Sequence, residues 1–333
     1  MRKGLVILLC VTNYWLAAQL PVLRPTSQSS LLVINPGLVL GNHASGIGVN
    51  YVQGHNSGTS WIANFAQHNE KIGGVYSLVG MMDDNSLGTK TKSISGTYAY
   101  RIVLNRHNAI QLPITYSFVN MDYDSIHFGN RYGSKPFTYQ IGPMNVKSHT
   151  FGAGVVYYNT AKYIYAFVDT ASFYPSYNYF IAAHFNHIFG DRRQMNTPEE
   201  SDFTLPVTWS ITAGYQFDIG DIKFYPTASY QYQDYFGSLS TSALIKDMHV
   251  FDLLVNAVYE IYLLGIGGRQ ISYLEHVIYG QAGVSLKHIE VVYSYGTDVL
   301  NREKNVRHQI STSIGWRQKK PPRRNAPIIN PSF

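Results

Sequence analysis

The sequence predicts an all-β fold, a transmembrane antiparallel up-and-down β-barrel of about 14 strands, within a range of about 12–16. Three observations carry this. The first is the alternation between residues 93 and 118. Ile94, Gly96, Tyr98, Tyr100, Ile102 and Leu104 fall on one face, and Ser93, Ser95, Thr97, Ala99 and Arg101 on the other. After the turn Asn105-Arg106-His107-Asn108, the period resumes with Ile110, Leu112, Ile114, Tyr116 and Phe118 against Gln111, Thr115 and Ser117. Strand side chains alternate faces, so this is a pair of strands of about ten residues, long enough when tilted to cross about 25 Å of hydrocarbon with the apolar face outside. Strands of soluble sandwiches run to about five or six residues.

The second observation is the N-terminus. Arg2 and Lys3 precede the apolar run Leu5-Val6-Ile7-Leu8-Leu9-Cys10-Val11, and Leu16-Ala17-Ala18 offers a cleavage site before Gln19. Residues 1–18 therefore read as a secretory signal peptide, too short for a spanning helix, and the destination is the bacterial outer membrane. Leu9 is not the small residue that lipoprotein processing wants before Cys10. Cys10 is also the single cysteine, so the mature chain excludes disulfides, zinc–thiolate sites and cysteine catalysis.

The third observation is the charge-poor, tyrosine-rich body. The net charge of +6 comes from the ends: Arg2 and Lys3 in the signal, and Arg317, Lys319, Lys320, Arg323 and Arg324 after Trp316. Without those 7 bases, 19 basic residues face 20 acidic ones, so the high pI does not point to nucleic acid. The 27 tyrosines suit strand surfaces and interfacial girdles.

After the signal come an N-terminal leader (19–41), the barrel (42–316) and a basic, Pro-rich periplasmic tail (317–333). Candidate strands in order are 45–53, 60–67, 73–81, 93–104, 109–119, 149–159, 163–168, 177–189, 207–217, 222–233, 250–260, 261–270, 277–286, 288–296 and 306–316. Glycines recur inside them (Gly46, Gly48, Gly96, Gly152, Gly154, Gly214, Gly267), which weakens soluble strands but permits the bends of a barrel wall. A single-chain bacterial barrel has an even number of strands, with short periplasmic turns and long outer loops. Connections 286–287, 260–261 and 218–220 are tight; 297–305, 234–249 and 190–206 are long and face out, as do 53–58, 82–89 and 120–145. The inside/outside assignments from the two termini collide between residues 149 and 189. Dropping the short 163–168 gives fourteen strands; a missed strand near 137–142 would give sixteen. Fourteen is preferred. The longest outer loop, 120–145, carries Asp122, Tyr123, Asp124, His127, Arg131 and Tyr132 and is the candidate partner-binding surface, the alternative being an ordinary solvated loop.

Several short motifs, in order, resemble the PorP/SprF family of Bacteroidetes outer-membrane proteins. Asn35-Pro36-Gly37 with Gly41 resembles its Asn-Pro-Ala…Gly opening, and Thr97-Tyr98-Ala99-Tyr100-Arg101-Ile102 its Tyr-Ala-Tyr-Arg-Ile strand. Ile181-Ala182-Ala183-His184-Phe185-Asn186 is similar to its Ser-x-His-Leu-Asn strand. Leu205-Pro206, Ala213-Gly214-Tyr215-Gln216-Phe217 and Tyr225-Pro226-Thr227 resemble its Leu-Pro…Gly-Tyr…Pro-Ser passage, and Leu264-Gly265-Ile266-Gly267-Gly268-Arg269 its Gly-Leu-x-x-Arg segment. The resemblance implies a role in type IX secretion and gliding motility: docking or anchoring a large secreted adhesin through its C-terminal domain, or contacting secretion components. The chain departs from the family in Gly37, where Ala is usual, and in its tail. There Lys319, Lys320, Arg323 and Arg324 would meet an acidic partner or anionic headgroups, or simply stay solvated.

Chemistry of other kinds is not expected: no enzyme, no cofactor and no metal. His184 and His187, three apart on a strand, should point to opposite faces. Asp83-Asp84-Asn85 lacks the ligand series of a calcium loop and reads as an outer turn. Glu199, Glu200 and Asp202 form an acidic loop patch without a matched carboxylate, and no Gly-x-Ser-x-Gly or phosphate loop is present. The rival function is an outer-membrane channel for small or hydrophobic solutes, similar to fatty-acid channels.

Overall fold

The computed structural model describes residues 45–54, 58–69, 74–85, 89–105, 107–123, 126–129, 138–141, 144–160, 177–190, 193–194, 202–203, 207–233, 248–271, 275–286, 289–299 and 306–316. The signal, the leader with Asn35 and Pro36, the candidate strand 163–168 and the tail with Lys319, Lys320, Arg323 and Arg324 lie outside the described residues.

Fourteen strands form the wall: β1 (Ser45–Gly54), β2 (Gly58–Asn69), β3 (Gly74–Asn85), β4 (Thr89–Val103), β5 (Asn108–Tyr123), β6 (Met144–Thr160), β7 (Tyr177–Gly190), β8 (Thr208–Tyr215), β9 (Ile222–Gln233), β10 (Met248–Tyr259), β11 (Tyr262–Ile271), β12 (Glu275–Ser285), β13 (Ile289–Asp298) and β14 (Val306–Trp316). Each pairs antiparallel with its sequence neighbours, Phe217–Ile219 continues β8 against the start of β9, and β1 pairs with β14, which closes the ring. Closure satisfies the two edges that an open sheet would leave unpaired in lipid. Both terminal strands reach the same end, where Ser45 faces Trp316.

The opening hairpin is longer than its sequence period suggests: β4 has 15 residues and β5 has 16. Their polar outer ends break the apolar alternation but keep the ladder, from Val103↔Ala109 to Thr89↔Tyr123. The turn is held by Asn105, whose Oδ1 accepts from the amides of His107 and Asn108, both at 2.9 Å. Pro113 lies within β5, and pairing with β6 skips Leu112 and Pro113 between Gln111↔Val156 and Ile114↔Ala153, because proline has no N–H to donate.

Three expectations are corrected. Asp83, Asp84 and Asn85 end strand β3 instead of forming a turn, because Asp83 points inward and takes the Ser60 hydroxyl as donor. The strand sensed near 137–142 exists as Thr138–Ile141, but it pairs with Ile126–Gly129 in a separate hairpin within the outer loop, not in the wall. Residues 120–123 and 144–145 of that loop belong to β5 and β6.

Candidate functional surfaces of the barrel

The wall is inverted relative to a soluble protein. Ile114 is 62% exposed and Ile266 65%, while the neighbouring inward side chains Gln111 and Thr115 are 0% and 1% exposed. The outward apolar belt is the lipid-facing surface, and the inward face mixes polar residues and a few charges with apolar clusters such as Val156, Tyr158 and Phe180.

Three constructions organise the inner face. Arg269 on β11 donates through Nε to Asp252 Oδ1 at 2.7 Å and through Nη2 to Oδ2 at 2.9 Å, a two-pronged pair with side-chain exposures of 2% and 0%. Asn256, on the same inward face of β10 beyond buried Leu254, accepts from Gln281 Nε2. On the other side of the barrel, Thr97, Thr115 and His184 form a relay. The two threonine hydroxyls are 2.9 Å apart, and His184 Nε2 is 3.1 Å from Thr115 Oγ1.

His184 sits on β7 and Thr115 on β5, so the imidazole must cross β6. It does so over Gly152 and Gly154. A Cβ at Gly154 would lie 2.5 Å from the Ala183 carbonyl oxygen and 2.9 Å from His184 Cδ2. We therefore expect Gly154→Val to destabilise the barrel by about 1–3 kcal/mol by overpacking. Gly96→Ala, where a Cβ meets nothing within 4 Å, should stay within about 0.5 kcal/mol. Urea titration of the detergent-solubilised barrel reads both.

His187 corrects the alternation argument. It has φ 59°, and the β6–β7 register shifts there between Phe151 and Ala153. The bulge turns His187 to the same inner face as His184, and its Nδ1 lies 2.9 Å from Thr150 Oγ1. The sequence carries no signal for such a bulge beyond Gly152 on the facing strand.

The outward face carries aromatic belts at both ends. Near the periplasmic end Tyr76 and Tyr98 pack with ring centroids 5.4 Å apart, with Tyr100 beside them and Arg101 turned to the opposite face of β4. The tyrosines of the Tyr-Ala-Tyr-Arg motif are thus interfacial anchors, and buried Ala99 between them faces inward. At the outer end one arrangement occurs three times. Tyr116, Tyr230 and Tyr293 place their hydroxyls 2.6, 2.6 and 2.7 Å from Nδ1 of His149, His249 and His308 on the next strand. In each case the register is the same: an aromatic residue two positions after the tyrosine stands directly opposite the histidine, as in Phe118↔His149, Tyr232↔His249 and Tyr295↔His308.

Of the predicted loop residues, Asp122 and Tyr123 end β5, and His127 lies in the Ile126–Gly129 strand. Asp124, Arg131 and Tyr132 lie outside the described residues. A second short outer pairing joins Arg193–Gln194 to Asp202–Phe203 between β7 and β8. Among the described residues no group of three or more His, Cys, Asp or Glu side chains is arranged to hold a metal ion.

A family model described as type IX secretion system membrane protein PorP/SprF matches residues 27–314. No curated protein matches the chain. Among solved structures, the toluene transporter TbuX of Ralstonia pickettii is similar with a TM-score of 0.52 at 10% identity, covering 86% of this chain and 94% of that one. A FadL homologue of Pseudomonas aeruginosa has a TM-score of 0.48 at 11% identity, covering 87% and 92%. The outer membrane protein Omp33 of Acinetobacter baumannii has 0.42 at 8%, covering 83% and 100%. At 10% identity the likeness to TbuX concerns the fold alone.

Proposed function

Because the chain belongs to the PorP/SprF family of type IX secretion system membrane proteins, we propose that it is an outer-membrane accessory barrel that docks or anchors a secreted surface adhesin, or contacts the secretion machinery. The family match over residues 27–314 carries this reading. The mechanism is docking, with no bond made or broken. The platform is the outer rim, where the Ile126–Gly129/Thr138–Ile141 hairpin stands between β5 and β6 as a preformed element outside the wall. Ordered strands at a rim reduce the entropy that a bare loop would lose on binding. The loop side chains Asp122, Tyr123, Asp124, His127, Arg131 and Tyr132 are the candidate contacts. The basic residues Lys319, Lys320, Arg323 and Arg324 are candidates for an acidic partner on the periplasmic side.

The tagged barrel, solubilised from its native membrane in mild detergent, is expected to bring down a large adhesin or periplasmic ring proteins. Recovery of the barrel alone would overturn the docking role. A solute channel is the reading suggested by the name of the toluene transporter, whose likeness extends to the fold. Loss of solute uptake on deletion, with surface adhesins unaffected, would favour that reading instead.

A further inference from the structure

Among the described residues, the outward face of β4, β5 and β6 carries two cations at headgroup level, Lys92 and Lys147, that have no carboxylate partner. Lys92 stands opposite Asn120, and Asn120 opposite Lys147, so the three form one cross-strand row. Directly beneath is the row Ile94, Phe118 and His149, and beneath that Tyr116 beside Phe151. All lie on the lipid-facing side, continuous with the apolar belt: Ile94, Tyr116 and Phe151 are large and exposed. Lys92 and Lys147 are exposed as well. One row further out, Lys90 is opposite Asp122 and lies 3.9 Å from Asp84, so that lysine has a carboxylate partner. Among the described residues Lys92 and Lys147 have none.

Two strand spacings put the Lys92 and Lys147 backbones about 10 Å apart. Their flexible stems can follow the apolar surface and bring both ammonium groups to one anion between them. His149 completes the floor. It is fixed by the Tyr116 hydroxyl at Nδ1 and by packing against Phe118 at 5.0 Å between centroids, so Nε2 is the ring nitrogen it can offer a ligand. The equivalent position on β13 and β14, above the Tyr293–His308 pair, holds Thr297 opposite Val306 and has no cation.

We infer that this patch binds a phosphate group of the anionic glycolipid of the outer leaflet, with Lys92 and Lys147 as the cationic clamp and His149 as a hydrogen-bonding floor. Its position at the outer end of the lipid-facing belt selects a membrane lipid, and the paired cations select a phosphorylated headgroup. It lies at the foot of the β5–β6 outer loop, so a lipid held there would also brace that loop.

Native mass spectrometry of the full-length barrel in zwitterionic detergent, with diphosphorylated lipid A as probe, is expected to show a retained lipid. K92Q/K147Q should lower the retained fraction at least tenfold, and H149Q severalfold. K92R/K147R should retain the lipid, as should K223Q, which removes a cation at the opposite end of the barrel. Dephosphorylated lipid A should bind the wild type and K92Q/K147Q alike. Heat-dependent gel migration reports that each variant is folded. Equal retention by the wild type and K92Q/K147Q would overturn the site, as would an equal loss in K223Q. Phosphatidylglycerol held as tightly as lipid A would overturn the glycolipid assignment.

Discussion

Replacing Arg269 by Met is expected to destabilise the barrel by about 3–5 kcal/mol. The reason is what it leaves behind. Asp252 is 0% exposed, and both of its carboxylate oxygens accept from Arg269. Without the guanidinium, Asp252 is left as a buried carboxylate whose two acceptor oxygens have lost their donors. The double variant D252L/R269M should recover most of the loss, since a buried pair replaced as a pair by apolar groups is often close to neutral. The exposed Lys90–Asp84 pair, at 3.9 Å, is the internal comparison, and Lys90→Gln should cost about 0–1 kcal/mol. Urea midpoints of the four proteins in one detergent decide the matter. A single variant no less stable than Lys90→Gln would mean that Asp252 finds another partner.

The second large effect is expected on the opposite face. Ile266→Arg places a charge midway along β11, at a side chain 65% exposed to what is lipid in the membrane, and should cost about 2–4 kcal/mol in a bilayer. The same substitution at Tyr262, the first residue of β11 and exposed near the periplasmic turn, should cost about 0–1 kcal/mol, because an arginine there reaches water. Measuring both by refolding into vesicles separates lipid exposure from strand packing. In a soluble barrel neither arginine would cost appreciably, so equal small effects would contradict the spanning assignment.

The barrel was legible in the sequence because its physics is local. Hydrocarbon outside and polar groups inside impose a period of two on every strand, and the hairpin of β4 and β5 shows it without help from any other element. Parity of the inside and outside connections then selected fourteen strands over fifteen candidates, the number observed. The family resemblance in the Tyr98-Ala99-Tyr100-Arg101 segment was equally readable. The structure adds why those tyrosines are there: they anchor the wall at an interface, as Tyr76 and Tyr98 do together.

Features that depend on partners distant in sequence were not legible. Asp83 reads as part of a turn until Ser60, 23 residues away, is placed beside it. His184 and His187 read as opposed until a bulge opposite the glycines of β6 turns His187 to the inner face beside His184. The site above His149 needs Lys92 and Lys147, which are 55 positions apart in the chain but share one row across three strands. By itself the sequence determined the class of the molecule, the membrane it enters and the faces of most strands, since these follow from solvent on either side of one strand. Only the closed tertiary structure decided which side chains meet on those faces, because register across the sheet brings residues together regardless of their separation along the chain.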